Sequence, residues 1–296
     1  MILRFEELDS TSSYLKSRAA EPLPQFTVVV AANQSAGRGQ RGNSWESAPG
    51  ENLLMSMLFC PPEWLTPDRQ FLISQCVALA VADTYEELLD GCPHPPVTVK
   101  WPNDIYIGDK KACGILIENA LTASGNGARI ERSVLGIGMN INQRVFTSPA
   151  PNPVSAIHYT SIPIPLDAVL DRLISNLESR LTGLLEVGKN CCEGSLSSAV
   201  DLEEKVEIPA SVEQICAEIA REYRSRLWRG TGLHKWLVMK GSLAPVPPLH
   251  TAATLPADPE IIEAEIHSVS SSGPITLRLP SGALRTFAFK ELSAIL

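Results

Sequence analysis

No apolar run in this chain approaches the roughly 18–20 residues a helix needs to cross a bilayer. The longest, around 76–82, falls well short of that. The amino terminus, MILRFEELDS, has the pattern of neither a signal nor a transit peptide. A cytoplasmic protein without membrane attachment is therefore expected. An excess of positive charge is also missing: 25 Lys and Arg face 33 Asp and Glu, a formal net charge of −8. A dedicated DNA or RNA binder needs a basic surface to neutralise phosphates, so that class is disfavoured. There is no C-x-x-C among the seven cysteines, whose odd number argues for reduced thiols rather than a disulfide framework or a zinc site. The adjacent Cys191 and Cys192 suggest no function. No Walker A loop occurs, residues 37–42 (GRGQRG) are not read as a Rossmann fingerprint although they have the G-x-G-x-x-G spacing, and there is no internal repeat or low-complexity segment.

What is present is ordinary folded-protein composition, 44% hydrophobic and 20% charged over 296 residues, enough for one large domain and a small one. Ser10 and Thr11 can cap a short helix reaching residue 18. Residues 26–32 and 52–59 read as strands. Apolar positions at helical spacing mark a long helix over 67–89. Short strands at 97–100 and 105–107 flank Pro102, and Gly108-Asp109 turns the chain into a strand over 111–119. A turn at 124–127 leads to a glycine-interrupted strand over 133–142. Amphipathic helices follow near 166–187 and 211–228, with 188–210 expected as a surface excursion between them. Beyond Gly230, a proline cluster at 245–248 precedes alternating stretches at 236–240, 261–269, 275–279 and 284–289. Strands and turns at this spacing predict a small all-β barrel. The expected division is 1–233 and 234–296.

Three glycine-punctuated blocks carry the chemistry. In the first, Gln34 to Trp45 (QSAGRGQRGNSW), three glycines in six residues let the backbone wrap tightly and present N–H groups to an anion. Arg38 and Arg41 add planar, permanently charged forks suited to phosphate or carboxylate. In the second, Lys100-Trp101-Pro102-Asn103-Asp104, the proline interrupts the strand and frees Asn103 and Asp104 to face a ligand. Lys111 then opens an apolar strand, where its ammonium is costly to desolvate unless it meets an anion. Gly114 permits close approach to the backbone. In the third, Gly136-Ile137-Gly138-Met139-Asn140, glycines inside a strand mark close approach, and the Asn140 amide offers both donor and acceptor to a base edge.

Together these blocks resemble the biotin–protein ligase family, and the resemblance extends over most of the chain. It takes in Ser10-Thr11-Ser12 behind Glu6-Glu7, the Gly-Arg loop, the K-W-P-N-D…K-x-x-G-I block and G-I-G-x-N-x-N. It continues through Tyr223…Leu227-Trp228 to Phe289-Lys290-Glu291-Leu292. The resemblance implies an α/β catalytic domain with a mixed central sheet flanked by helices, then a small SH3-like barrel. It implies a biotin site at Ser10, Thr11, Ser12, Gln34, Gly37, Arg38, Gly39, Gln40, Lys111, Gly114, Ile115, Gly136 and Gly138. An ATP site is implied at Arg38, Arg41, Trp45, Asn103, Lys111 and Asn140. Lys111, Arg38 and Asp104 would be catalytic, Asp104 by positioning or deprotonating an acceptor lysine. The chain departs from the family at one loop position, where Gln40 replaces the usual second arginine of G-R-G-R.

The implied activity joins biotin to AMP from ATP, with Mg²⁺, and passes the acyl group to a lysine of a biotin carboxyl carrier domain. Two anions must meet in the first step, so fixed positive charge is required. A lipoate or octanoate ligase is the nearest alternative, though those relatives lack the K-W-P-N-D pairing. A non-catalytic biotin-binding module would not need Lys111 and Arg38. A DNA-binding repressor that also ligates biotin would need a helix-turn-helix ahead of residue 10, where no room is expected. The acceptor and the oligomeric state stay open.

Overall fold

The computed structural model describes residues 1–124, 127–147, 152–192, 210–239, 260–289 and 291–295. The side chains of Arg41, Ser124 and residues 188–192 are likewise outside the description, and with them the Cys191–Cys192 pair. The proline cluster at 245–248 and Lys290 also lie outside the described residues.

Seven strands form a mixed sheet in the order β1-β2-β3-β7-β6-β5-β4. They are β1 (Ile2–Leu8), β2 (Val28–Gln34), β3 (Leu53–Phe59), β4 (Val97–Lys100), β5 (Asp104–Ile107), β6 (Lys110–Ser124) and β7 (Gly127–Met139). Only β1–β2 is parallel; the remaining neighbours are antiparallel. Helix α1 (Thr11–Ser17) starts at Ser10, whose side chain accepts a hydrogen bond from the Ser13 amide, as the sequence anticipates. Helix α2 (Phe71–Leu88) is buried along most of its length, from Phe71 to Tyr85, so its alanines and Cys76 act as core. Burial pushes the Cys76 thiol up to about 12, which keeps it a neutral hydrophobe. Helices α3 (Leu166–Cys192) and α4 (Ala210–Ser225) complete this layer. Arg180 of α3 joins Asp83 of α2 at 2.6 Å and Glu222 of α4 at 2.7 Å, tying the three helices together.

Three readings need correction. Strand β1 was not anticipated. Strand β7 ends at Met139, so Asn140 and Asn142 lie beyond it. Helix α3 continues to Cys192, so the excursion expected from 188 begins later than supposed.

The C-terminal segment forms a separate antiparallel sheet, β11-β10-β9-β8-β12, from β8 (His234–Val238), β9 (Glu260–Val269), β10 (Ile275–Arg278), β11 (Leu284–Phe287) and β12 (Leu292–Ala294). It docks through Trp101, whose indole N–H donates to the Gly273 carbonyl at 2.9 Å and whose ring lies 5.2 Å from Phe289. Trp101, inside the K-W-P-N-D block, thus fastens the second sheet to the first beside the functional residues.

Candidate functional site

One cavity gathers most of the residues the sequence singles out. Its floor is the junction of β6 and β7, where Gly114 and Gly138 are paired across the ladder. A β-carbon on Gly138 would sit 2.6 Å from Trp45 Cε2, and one on Gly114 2.8 Å from Trp45 Cζ3. The indole of Trp45 therefore lies directly on a floor that exists because both residues lack side chains. Its Nε1 is buried without a hydrogen-bond partner, and Lys111 Nζ stands 5.7 Å from its ring centroid.

The loop bearing Trp45 is laced across its own base. Trp45 N donates to Gly37 O at 3.0 Å, Gly39 N donates to Asn43 O at 2.6 Å, and Arg38 bridges Ser44. Gly37 is not among the lining residues of the cavity, and a β-carbon on it would come within 2.9 Å of the Trp45 carbonyl. Arg38, Gly39 and Gln40 reach the cavity. Arg38 grips Glu118 of β6 with both terminal nitrogens, at 3.2 and 2.9 Å. Burial alone would raise the Glu118 carboxyl, but hydrogen bonds from Lys16 and Arg38 outweigh it and hold it below its ordinary value.

At one end, α1 delivers a knot of hydroxyls. Thr11 Oγ1 and Ser12 Oγ lie 2.8 and 2.9 Å from Ser56 Oγ, while Gln34 Oε1 accepts from the Thr11 amide at 2.7 Å. Ser12 fits only because Gly136 has no β-carbon, which would lie 2.5 Å from its oxygen. Ser10 also lines this end.

At the opposite end, Lys111 meets Asp104 at 2.7 Å, with the two side chains 28% and 23% exposed. The anion that justifies a lysine at the head of an apolar strand is thus an internal carboxylate. Asn103 lines the cavity, but its amide nitrogen donates to the Ile115 carbonyl, so part of its capacity holds the wall together. Ile115 is itself part of that wall.

Asn140, which the resemblance implies at the nucleotide, is not among the residues that line the cavity. It is buried away from the cavity lining, with Nδ2 donating to Val154 O at 3.2 Å and its main chain held by Ala112 and Ala156. Its Oδ1 has no hydrogen-bond partner, and the residue stands one position past the end of β7. Arg41, expected at the nucleotide, has its side chain outside the described residues.

Sequence reasoning gave Lys100 and Trp228 no role at the site, and it missed Ser56, which anchors the hydroxyl knot, and the wall from the second sheet, which includes Trp236, Ile266 and Ser293. Ser56 was detectable as the one hydroxyl in the apolar run LLMSMLF. The second-sheet residues carry no local signal. Among the described residues, no group of three or more His, Cys, Asp or Glu could hold a metal ion, and no helix is long and apolar enough to cross a membrane.

Taken with its two sheets, this site has the fold of the biotin protein ligases. The chain superimposes on the biotin protein ligase from Aquifex aeolicus in complex with biotin and ATP with a TM-score of 0.65 and 20% identity, over 99% of this chain and 97% of that one. Residues 5–140 match the model of the biotin/lipoate A/B protein ligase family. The chain is 37% identical over 138 residues to the bifunctional ligase/repressor BirA of Escherichia coli, covering 46% of this chain and 39% of that protein. It is 34% identical over 114 residues to the biotin–[acetyl-CoA-carboxylase] ligase of Paracoccus denitrificans, covering 38% and 43%. The chain thus spans about two fifths of the length of these curated relatives.

Proposed function

We propose that this chain is a biotin–protein ligase, which activates biotin with ATP and transfers it to a lysine of a biotin carboxyl carrier domain. The observation that carries the reading is one cavity holding a hydroxyl knot at one end, a Lys111–Asp104 pair at the other, and Arg38 on the loop beside a glycine floor. Biotin's polar ring system fits among Ser10, Thr11, Ser12 and Gln34, and its acid chain runs along Gly136 toward Lys111. In this reading residues 1–233 form the substrate-binding part and residues 234–296 a second domain closing the far wall.

The biotin carboxylate attacks the α-phosphorus of ATP, a C–O–P linkage forms as the bond from the α-phosphorus to the bridging oxygen breaks, and pyrophosphate leaves; Mg²⁺ held on the ATP phosphates would offset part of their charge. Lys111 and Arg38 offset the charge that accumulates where the two anions meet. In the second step the acceptor amine attacks the acyl carbon and AMP departs. Asp104 is placed to orient the amine and take its proton. The test is ATP–pyrophosphate exchange with the full chain and Mg²⁺, supplying biotin or lipoate in separate arms, followed by labelled-biotin transfer to an apo carrier domain. Biotin-dependent exchange and labelling of one lysine are expected. Exchange with lipoate alone, or none with either acid, would overturn the reading.

A further inference from the structure

Lys100 is a half-buried lysine on the wall of the cavity to which the mechanism above gives no work. It closes β4, directly opposite Asp104 in the β4–β5 register, so the strand pair that presents Asp104 also brings Lys100 beside Lys111. Its ammonium donates to Tyr106 Oη at 2.8 Å and stands 4.8 Å from the Tyr106 ring centroid and 5.4 Å from that of Trp228. Among the described residues no carboxylate lies within ion-pairing distance of it, because the nearby Asp104 is taken by Lys111 at 2.7 Å. Asp109 is likewise engaged, accepting from the Trp228 indole at 2.9 Å. Burial lowers the Lys100 pKa, the positive charges of Lys111 and Arg229 lower it further, and Asp104 opposes them. A neutral phenol and two aromatic faces compensate only part of the loss of water around an ammonium. Two of its three N–H groups remain available to a ligand.

Lys100, Trp228 and the β12 residues Leu292 to Ala294 line the same cavity as Lys111. With the α-phosphate at Lys111, the rest of a triphosphate has to extend away from the acid being activated. Charge develops on that departing portion in the transition state, and an unpaired, poorly hydrated cation there stabilises it. Of the chemistries the cavity could meet at this point, a polyphosphate tail matches a surplus of positive charge.

We propose that Lys100 is the binding group for the β- and γ-phosphates of ATP and for the pyrophosphate that leaves, an inference that rests on the ligase reading above. The test compares wild type with Lys100→Met, which keeps the length of the stem, and with Lys100→Arg, which keeps the charge. Binding of ATP, AMP, inorganic pyrophosphate and biotin is measured by calorimetry. Lys100→Met is expected to weaken ATP and pyrophosphate about tenfold or more, leave AMP and biotin within twofold, and be rescued in part by Lys100→Arg. A second measurement needs no variant: amine-directed labelling of the wild-type chain, read by mass spectrometry, should show Lys100 protected by pyrophosphate and not by AMP, which decides the matter should Lys100→Met fail to fold. Equal weakening of ATP and AMP, unchanged pyrophosphate affinity, or absence of protection would overturn the proposal while leaving the ligase reading standing. A wild-type chain that bound no ATP would overturn both.

Discussion

Arg38 and Glu118 are joined by two hydrogen bonds, at 3.2 and 2.9 Å, and this pair straps the glycine loop to the sheet at the mouth of the cavity. Lys16 reaches the same carboxylate at 2.8 Å, so helix α1, strand β6 and the loop meet at one acidic residue. A half-exposed pair of this kind contributes only ~0.2–1 kcal/mol. For a loop that opens to admit ligand, the upper end of that range is still roughly a fivefold change in opening. Glu118→Gln is accordingly expected to raise the biotin off-rate about two- to fivefold in stopped-flow measurements. Adding Arg38→Met to it should change the off-rate less than Arg38→Met does alone, since the two act through one contact. Because the Glu118 carboxyl is held below its ordinary value in the folded chain, the strap is complete above the ordinary carboxylate pKa and is lost as pH falls through the depressed one. An off-rate that rose with increasing pH between 4 and 6 would contradict this assignment.

Lys111 and Asp104 provide a sharper case, because the pair sits at the proposed reacting centre. Loss of one preorganised charge at such a centre typically costs about 3–4 kcal/mol of barrier, or roughly 10²–10³ in rate. Both side chains keep some access to water, so Asp104 left without its partner remains solvated and the fold should lose less than ~1 kcal/mol. Lys111→Ala is therefore expected to cut ATP–pyrophosphate exchange at least a hundredfold while hardly moving the thermal midpoint. Near-normal exchange would remove Lys111 from the chemistry.

How far the sequence announces this site depends on whether a residue's neighbours are local. The Gly-Arg loop, the block around Pro102 and the glycines of β7 are each local in sequence, and each has a composition unusual for a strand that only builds core. Arg38, Lys111 and Gly138 were legible for that reason. Strand β1 was not, since a half-exposed parallel edge strand shows only the weak alternation of Leu3 and Phe5 against charged neighbours. Ser56 donates one hydroxyl inside an otherwise apolar strand, a signal easily read as noise. Trp236 and Ser293 form part of the wall from more than a hundred residues downstream of Lys111, and no periodicity encodes that approach. Asn140 has chemistry that suits a base edge, and the structure buries it one residue past the end of β7, a placement its composition does not announce.

The contact of Trp45 with Gly138 makes the floor testable. A methyl group at 138 would fall 2.6 Å from the indole, and Gly114 leaves no slack on the neighbouring strand. The ring has to lift, because the β-ladder beneath it cannot. Overpacking of this order costs roughly 1–3 kcal/mol where nothing yields; here the loop yields, so the strain should appear as loop opening more than as global instability. Gly138→Ala is expected to expose Trp45 to an aqueous quencher and weaken nucleotide binding several-fold. Gly138→Ala should leave the melting temperature close to that of the unaltered chain, and adding Trp45→Ala should not restore nucleotide affinity. Unaltered Trp45 quenching in Gly138→Ala would mean that the contact is not the one described.

Gln40, finally, lines the cavity at the loop position where the resemblance implies a second arginine. It is the first residue of a single helical turn, Gln40–Gly42, which the Asn43 amide closes by donating to its carbonyl at 3.2 Å. Its backbone is therefore fixed while its side chain remains a neutral donor and acceptor. An amide can bond a phosphate oxygen but adds no charge, and charge-assisted hydrogen bonds are about twice as strong as neutral ones. If the acyl-adenylate lies under this loop, Gln40→Arg should hold it longer: about 1 kcal/mol of added attraction slows release roughly fivefold. The same change should leave biotin alone nearly unaffected, since the gain requires the phosphate. Release of purified adenylate from the two proteins, followed by chase with unlabelled ligand, measures this directly. Equal off-rates would show that the position does not meet the phosphate at all, and that Arg38 and Lys111 carry the anion by themselves.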